Sequence, residues 1–259
     1  MKLTIYQIDA FASKIFEGNP AAICPLMQWL PDELMQSIAA ENNLSETAFF
    51  VATESGFHIR WFTPLHEVDL CGHATLAAAY VIFEQLEKSK NKVEFLSNSG
   101  TLLVTKKADA LELNFPAQPA TACEVPDAIA NAFEVMPLKC LKSQDYIVVF
   151  DSEEIVLNAK PNLELLSQLD LRGVAITSLA KNYDFVTRFF APKYGINEDP
   201  VTGSAFTQLI PYWSDKLNKK ILSAKQVSKR GGEVSCINDG ERVRISGRAV
   251  QYMRGQIDV

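Results

Sequence analysis

The stretch MKLTIYQIDAF alternates in the manner of a strand with one face buried. The same pattern, bounded by turn residues, predicts strands at 48–52, 57–62, 93–96, 101–105, 110–115, 146–150, 155–158 and 185–190, with several more after Ile221. Two stretches change period. Residues 75–86 are apolar nearly all round until Glu84, with alanines at 74, 77, 78 and 79. A helix without a polar face is enclosed, and small residues let a sheet close around it. Residues 206–217 place Phe206, Leu209, Ile210, Trp213 and Leu217 on one helical face. Residues 31–42 and 161–170 read as helices opened by proline, each leading into a strand.

These elements recur in order. Arg60-Trp61-Phe62-Thr63-Pro64 is matched by Arg188-Phe189-Phe190-Ala191-Pro192. Behind each comes the frame Glu-x-x-x-x-Gly-x-Ala, from Glu67 to Ala74 and from Glu198 to Ala205, and each frame opens an apolar helix. We therefore expect an α+β protein of two homologous halves, each a barrel-like, strongly curved sheet around one central helix. The proline cluster in FPAQPATACEVP sets the boundary, giving halves of 1–116 and 117–259. The last strand, about 247–259, is expected to pack back on the first half.

Composition narrows the class. A hydrophobic share of 47% and a charged share of 22% describe an ordinary globular chain. The net charge of −6 argues against nucleic acid or an anionic membrane as partner. No apolar run approaches a transmembrane length. The five cysteines are widely spaced and form no CxxC, which fits a reduced, cytoplasmic chain without a zinc site. His66-Glu67 begins like a zinc-protease helix, but Leu70 stands where the second histidine belongs. P-loop, GxGxxG and GxSxG patterns are absent, so neither a metal nor a cofactor is expected.

Gly72-His73-Ala74 and Gly203-Ser204-Ala205 put small residues at the two helix starts, where unpaired backbone N–H groups favour an anion. Either start alone fits ordinary capping; their duplication favours a carboxylate-binding cleft between the halves. Shared features belong to the scaffold, so Arg60 with Glu67 and Arg188 with Glu198 are expected as a structural pair in each half. Asymmetric polar groups are the catalytic candidates. Asp199 has Val68 as its mate, His73 has Ser204, and Glu46 in NLSETAFF has no acidic counterpart in LRGVAIT.

At these residues the chain resembles the PhzF-like family of phenazine-biosynthesis isomerases, within the diaminopimelate epimerase fold. The carrying stretches are DAFASKIFEGNPAAI (9–23), NLSETAFF (43–50), RWFTPLHEVDLCGHATLAAA (60–79) and EDPVTGSA (198–205). The resemblance implies a cleft active site and a homodimer. Glu46 would be the proton carrier, with His73, Asp199 and Ser204 beside it. Gly72, His73, Gly203 and Ser204 would hold the substrate carboxylate, and Asn19 would line the cleft.

The leading expectation is thus a cofactor-independent isomerase acting on a small carboxylate. A one-thiol epimerase or lyase using Cys71 is one alternative, and a non-catalytic small-molecule-binding protein of the same fold is another. Related epimerases pair two thiols; here the mate of Cys71 is Thr202, whose hydroxyl is far too weak an acid.

Overall fold

The computed structural model describes residues 1–259. They form two compact units, one of residues 1–114 with 246–259 and one of residues 115–245.

The first unit contains β1 (Lys2–Ala10), β2 (Asn19–Leu26), α1 (Asp32–Asn42), β3 (Glu46–Ala52), β4 (Phe57–Phe62), β5 (Glu67–Val68), α2 (Gly72–Val81), β6 (Lys92–Ser97), β7 (Gly100–Lys107) and β8 (Ala110–Pro116). Strand β1 pairs antiparallel with β2, β2 parallel with β3, β3 antiparallel with β4, and β4 parallel with β6. The alternation is forced by the connections. A tight loop gives an antiparallel neighbour, whereas the α1 and α2 crossovers return the chain in the same direction. The last ten residues of strand, Ala249–Asp258, pair antiparallel with β1 along its whole length.

Every residue of α2 except Tyr80 is buried. Its alanine run lets β1, β2 and β3 pack closely against it. The helix starts at Gly72, three residues before the predicted start, and Ile82–Leu86 continue as a wider π turn. On the outer face of the sheet, Met35, Ile38 and Ala39 of α1 join Leu3, Cys24, Phe49 and Phe62 in a second core.

The second unit repeats the plan with β9 (Thr121–Cys123), α3 (Asp127–Phe133), β10 (Lys139–Lys142), β11 (Tyr146–Val149), α4 (Glu153–Asn158), α5 (Leu163–Ser167), β12 (Val174–Leu179), β13 (Phe185–Ala191), β14 (Ile196–Asp199), α6 (Gly203–Leu217), β15 (Ile221–Gln226), β16 (Gly232–Asn238) and β17 (Arg242–Gly247). Strands β10, β11, β12, β13, β15 and β16 follow the same antiparallel–parallel alternation as β1, β2, β3, β4, β6 and β7. Helix α6 carries Pro211 in its interior. Proline lacks the N–H that would bond the carbonyl of Thr207. The Gln118 N–H takes that carbonyl instead, at 3.0 Å, so the lost helical bond leaves no orphan acceptor.

Two predicted elements differ. Residues 155–158 form part of α4 rather than a strand, because Ser152 accepts from the Ile155 N–H and two glutamates sit in the first turn. These local contacts outweigh the strand propensity of Ile155 and Val156. The helix expected at 161–170 is only Leu163–Ser167, capped by Asn162 rather than opened by Pro161. The Arg–Glu pair expected in each half is present. Arg60 holds Glu67 through two hydrogen bonds of 2.7 and 2.6 Å, and Arg188 holds Glu198 through two of 2.6 and 3.0 Å.

Candidate active site

In the first unit the chain reaches the site through a glycine turn. Gly18 has φ +64°, and a Cβ there would stand 2.1 Å from the Ala10 carbonyl oxygen. Only glycine fits, and the turn delivers Asn19, fully buried, to the start of β2. Glu46 starts the neighbouring β3, and His73 sits in the first turn of α2.

These three side chains and Ser45 form one chain of contacts. His73 Nε2 lies 3.1 Å from Glu46 Oε2, with the two side chains 6% and 13% exposed. Neither atom has another hydrogen-bond partner. On the far side of the ring, Asn19 Nδ2 is 3.2 Å from His73 Nδ1, and Ser45 Oγ donates to Asn19 Oδ1 at 3.2 Å. Ser45 thereby orients the amide so that its NH2 group faces the ring. In the neutral ring Nδ1 is then an acceptor, the proton is on Nε2, and that proton faces the Glu46 carboxylate. Adding a second proton at Nδ1 requires the amide to turn over. Ser45 permits this, since a hydroxyl accepts as well as donates.

Burial works against a charge on His73, but its contacts with Cys71 and Glu46 outweigh it, and its pKa stands well above the ordinary value. Burial above all, and then the charge of Glu46, pushes the Cys71 thiol upward too. Cys71 therefore stays a neutral thiol at neutral pH, and Glu46 is the charge that favours a proton on His73.

Cys71 Sγ lies 3.5 Å from His73 Nδ1. Glu46, Cys71 and His73 thus offer three potential metal-ligand atoms within 4.8 Å. The sulfur stands on the Nδ1 side of the ring and the carboxylate on the Nε2 side. The two partners meet opposite nitrogens of the ring, an arrangement that suits a proton relay.

No side-chain hydrogen bond caps α2 or α6. The first N–H groups, at Gly72 and His73 in one unit and Gly203 and Ser204 in the other, carry no intrahelical bond and form two anion-favouring ends. In the second unit Asp199 is buried and accepts from Thr202 Oγ1. Ser204 is partly exposed at the first turn of α6.

Sequence reasoning missed Gln226, which is fully buried on β15. Its Oε1 accepts from the Thr202 N–H at 2.9 Å and its Nε2 donates to the Asp199 carbonyl at 2.8 Å. It locks the turn that presents Asp199. A lone glutamine in ILSAKQ gives no signal of this. Ser45 was also overlooked, although it sits beside Glu46 in the quoted motif.

The duplicated α+β plan, with one buried helix in each unit, defines the class as a protein of the diaminopimelate epimerase-like fold. A solved predicted epimerase from Pseudomonas aeruginosa shares that fold, with a TM-score of 0.78 at 20% identity over 99% of both chains. The chain belongs to the PhzC-PhzF family of phenazine biosynthesis-like proteins, whose pattern it matches over residues 8–255. A crystal structure of a PhzF-family phenazine biosynthesis protein from Enterococcus faecalis is similar throughout, with a TM-score of 0.98, 43% identity and all of both chains covered. An uncharacterized isomerase of Pseudomonas aeruginosa is 49% identical over 99% of each chain.

Proposed function

We propose that this protein is an isomerase that moves a proton within a small carboxylate substrate without a cofactor, with Glu46 as the acid–base group. The observation that carries the reading is the 3.1 Å approach of His73 Nε2 to a Glu46 carboxylate that is 13% exposed. Glu46 takes a proton from one substrate carbon as carboxylate and returns it to another carbon on the same face. His73 holds the carboxylate through Nε2 and stabilises its charge before and after the transfer. The unpaired N–H groups of the helix starts receive the substrate carboxylate. Asp199 and Ser204 are assigned to orienting the substrate.

The thiol alternative is disfavoured by the upward shift of Cys71, which keeps the nucleophilic or basic thiolate scarce. The test is solvent-proton exchange. Small unsaturated or cyclic carboxylates are incubated with the protein in deuterated water and followed by NMR and mass spectrometry. Wild type incorporates deuterium with isomerisation, and Glu46→Gln does not. Equal turnover in Glu46→Gln, or its loss only in Cys71→Ala, would overturn the proposal.

A further inference from the structure

The second unit holds a thiol pair that the reaction above does not use. Strand β9 pairs antiparallel with β10, and Cys123 stands directly opposite Cys140 in that register. Directly opposed residues point to the same face of a sheet. Cys140 is buried in the core of the second unit, and the partly buried Cys123 packs against that core. Cys24 faces Phe49 instead, Cys236 faces Leu222, and Cys71 precedes α2. Cys123 and Cys140 are thus the two cysteines that the strands set face to face.

The first unit builds the same strand pair without thiols. Arg60 stands opposite Phe49 and its mate Arg188 opposite Ile176, which aligns the two strand patterns. Ile23 beside Ala48 then corresponds to Ile147 beside Ala175. Their antiparallel neighbours, Tyr6 and Leu141, correspond in turn. One residue back, Ile5 is the counterpart of Cys140, and Gly255 opposite Ile5 is that of Cys123. Isoleucine and glycine therefore suffice for the scaffold, and the two sulfurs are a feature of the second unit alone.

The spacing suits a disulfide. Directly opposed residues of an antiparallel pair have Cα atoms about 4.5 or 5.5 Å apart, according to whether they share ladder bonds. A disulfide spans about 4.4–6.8 Å between Cα atoms, so either kind of pair can be bridged without moving the strands. The two thiols are unequal. Burial, and then the neighbouring Cys123 thiol, pushes the Cys140 thiol up to about 12. Cys123, partly exposed, is the thiol that meets an oxidant, and Cys140 is its resolving partner.

We propose that Cys123 and Cys140 form a redox-active pair, oxidised by a peroxide to a reversible disulfide that staples β9 to β10. The Cys123 thiolate attacks one peroxide oxygen. The O–O bond breaks, the sulfur becomes a sulfenic acid, and the other oxygen takes a proton and leaves as water. The Cys140 sulfur then attacks the Cys123 sulfur. The S–O bond breaks, and the oxygen leaves as a second water with the Cys140 proton. Two thiols and one hydrogen peroxide become one disulfide and two waters.

The staple fastens a segment that already serves α6. Just before β9, the Gln118 N–H bonds the Thr207 carbonyl and Gln118 Oε1 accepts from Thr207 Oγ1, each at 3.0 Å. Oxidation would tie this segment to β10 as well as to α6. The pair is independent of the isomerase reading and is tested without a substrate.

Reduced protein is treated with hydrogen peroxide, blocked with iodoacetamide in denaturant and digested with trypsin without reduction. Trypsin cuts after Lys107, Lys139 and Lys142, which leaves Cys123 and Cys140 on separate peptides, 108–139 and 140–142. Wild type is expected to give these two peptides joined, with the loss of two hydrogens, and dithiothreitol should release them. Cys140→Ser should stop at the Cys123 sulfenic acid, which dimedone traps. The urea midpoint of oxidised wild type should exceed that of the reduced protein, and the difference should vanish in Cys123→Ser. Wild type that carries Cys123 on to sulfinic acid while Cys140 stays open to iodoacetamide overturns the proposal. So does native protein that links Cys123 as readily to Cys24, Cys71 or Cys236, or an oxidised midpoint no higher than the reduced one. If Cys140→Ser does not fold, Cys123→Ser decides: Cys140 should then withstand peroxide and be recovered alkylated.

Discussion

His73 Nε2 lies 3.1 Å from Glu46 Oε2, and Asn19 closes the opposite side of the ring at 3.2 Å from Nδ1. The histidine is held from both sides, so its proton position is set by its neighbours. In 15N NMR on the alkaline side, where the ring is neutral, it is expected as the Nε2–H tautomer. Asn19→Asp puts an acceptor opposite Nδ1 and should move the proton there. A neutral wild-type ring with its proton on Nδ1 would contradict the assigned relay.

Catalysis should depend on the members of that relay in graded fashion. Glu46→Gln is expected to lower kcat by about 10²–10⁴-fold, the range of a positioned general acid–base group. His73→Gln should cost somewhat less, and Ser45→Ala least, because it acts only through Asn19. Single-turnover rates in the exchange assay read this order, and a Ser45→Ala effect equal to that of Glu46→Gln would contradict it.

The raised pKa of His73 has a consequence for stability. A group whose pKa is higher folded than unfolded stabilises fully below its unfolded value, about 6.5 for histidine. That contribution is lost as pH rises through the folded value. Urea unfolding of wild type and His73→Gln should therefore differ most below about pH 6 and converge on the alkaline side. A gap that widens with rising pH would reverse the assignment.

Burial should also make the cysteines unequal. Desolvation pushes the Cys24 thiol up to about 12, and Cys236 is buried and shifted upward as well. Cys123 is partly exposed. Iodoacetamide at mild alkaline pH is expected to label Cys123 first in the native protein and to reach Cys24 and Cys236 only after unfolding. Peptide mapping by mass spectrometry gives the order.

Gln226→Leu removes the three hydrogen bonds that lock the Asp199 turn and leaves the Thr202 N–H unpaired in a buried place. A loss of about 1–3 kcal/mol is expected on denaturant unfolding. Gly18→Ala should cost at least as much, since its Cβ meets backbone rather than a movable side chain. Near-zero changes in both would mean that these turns relax freely.

Much was legible because the chain states its plan twice. The frames Glu67 to Ala74 and Glu198 to Ala205 exposed the duplication, and the Arg–Glu pairs followed from it. A stretch at 75–86 that is apolar nearly all round until Glu84 reads as an enclosed helix. The short strand at 19–26 and the helix at 153–158 were not legible in this way. In NPAAICPL two prolines mask a strand, and in SEEIVLN a serine cap overrides β-branched residues. Both depend on contacts several residues away rather than on period.

The sequence by itself determined the two-unit α+β plan, the family and the candidates Glu46, His73, Asp199 and Ser204. The plan and the candidates follow from periodicity and the repeated frame, and the family from the motifs it resembles, all of them properties of the chain read one residue after another. Tertiary structure decided which polar groups meet. Asn19 and Ser45 orient His73, Gln226 locks Asp199, and Arg172 is held by Asp145 and Gln208. Such bonds join residues from separate strands and helices. Their energies depend on distance and burial, which appear only once the elements are packed.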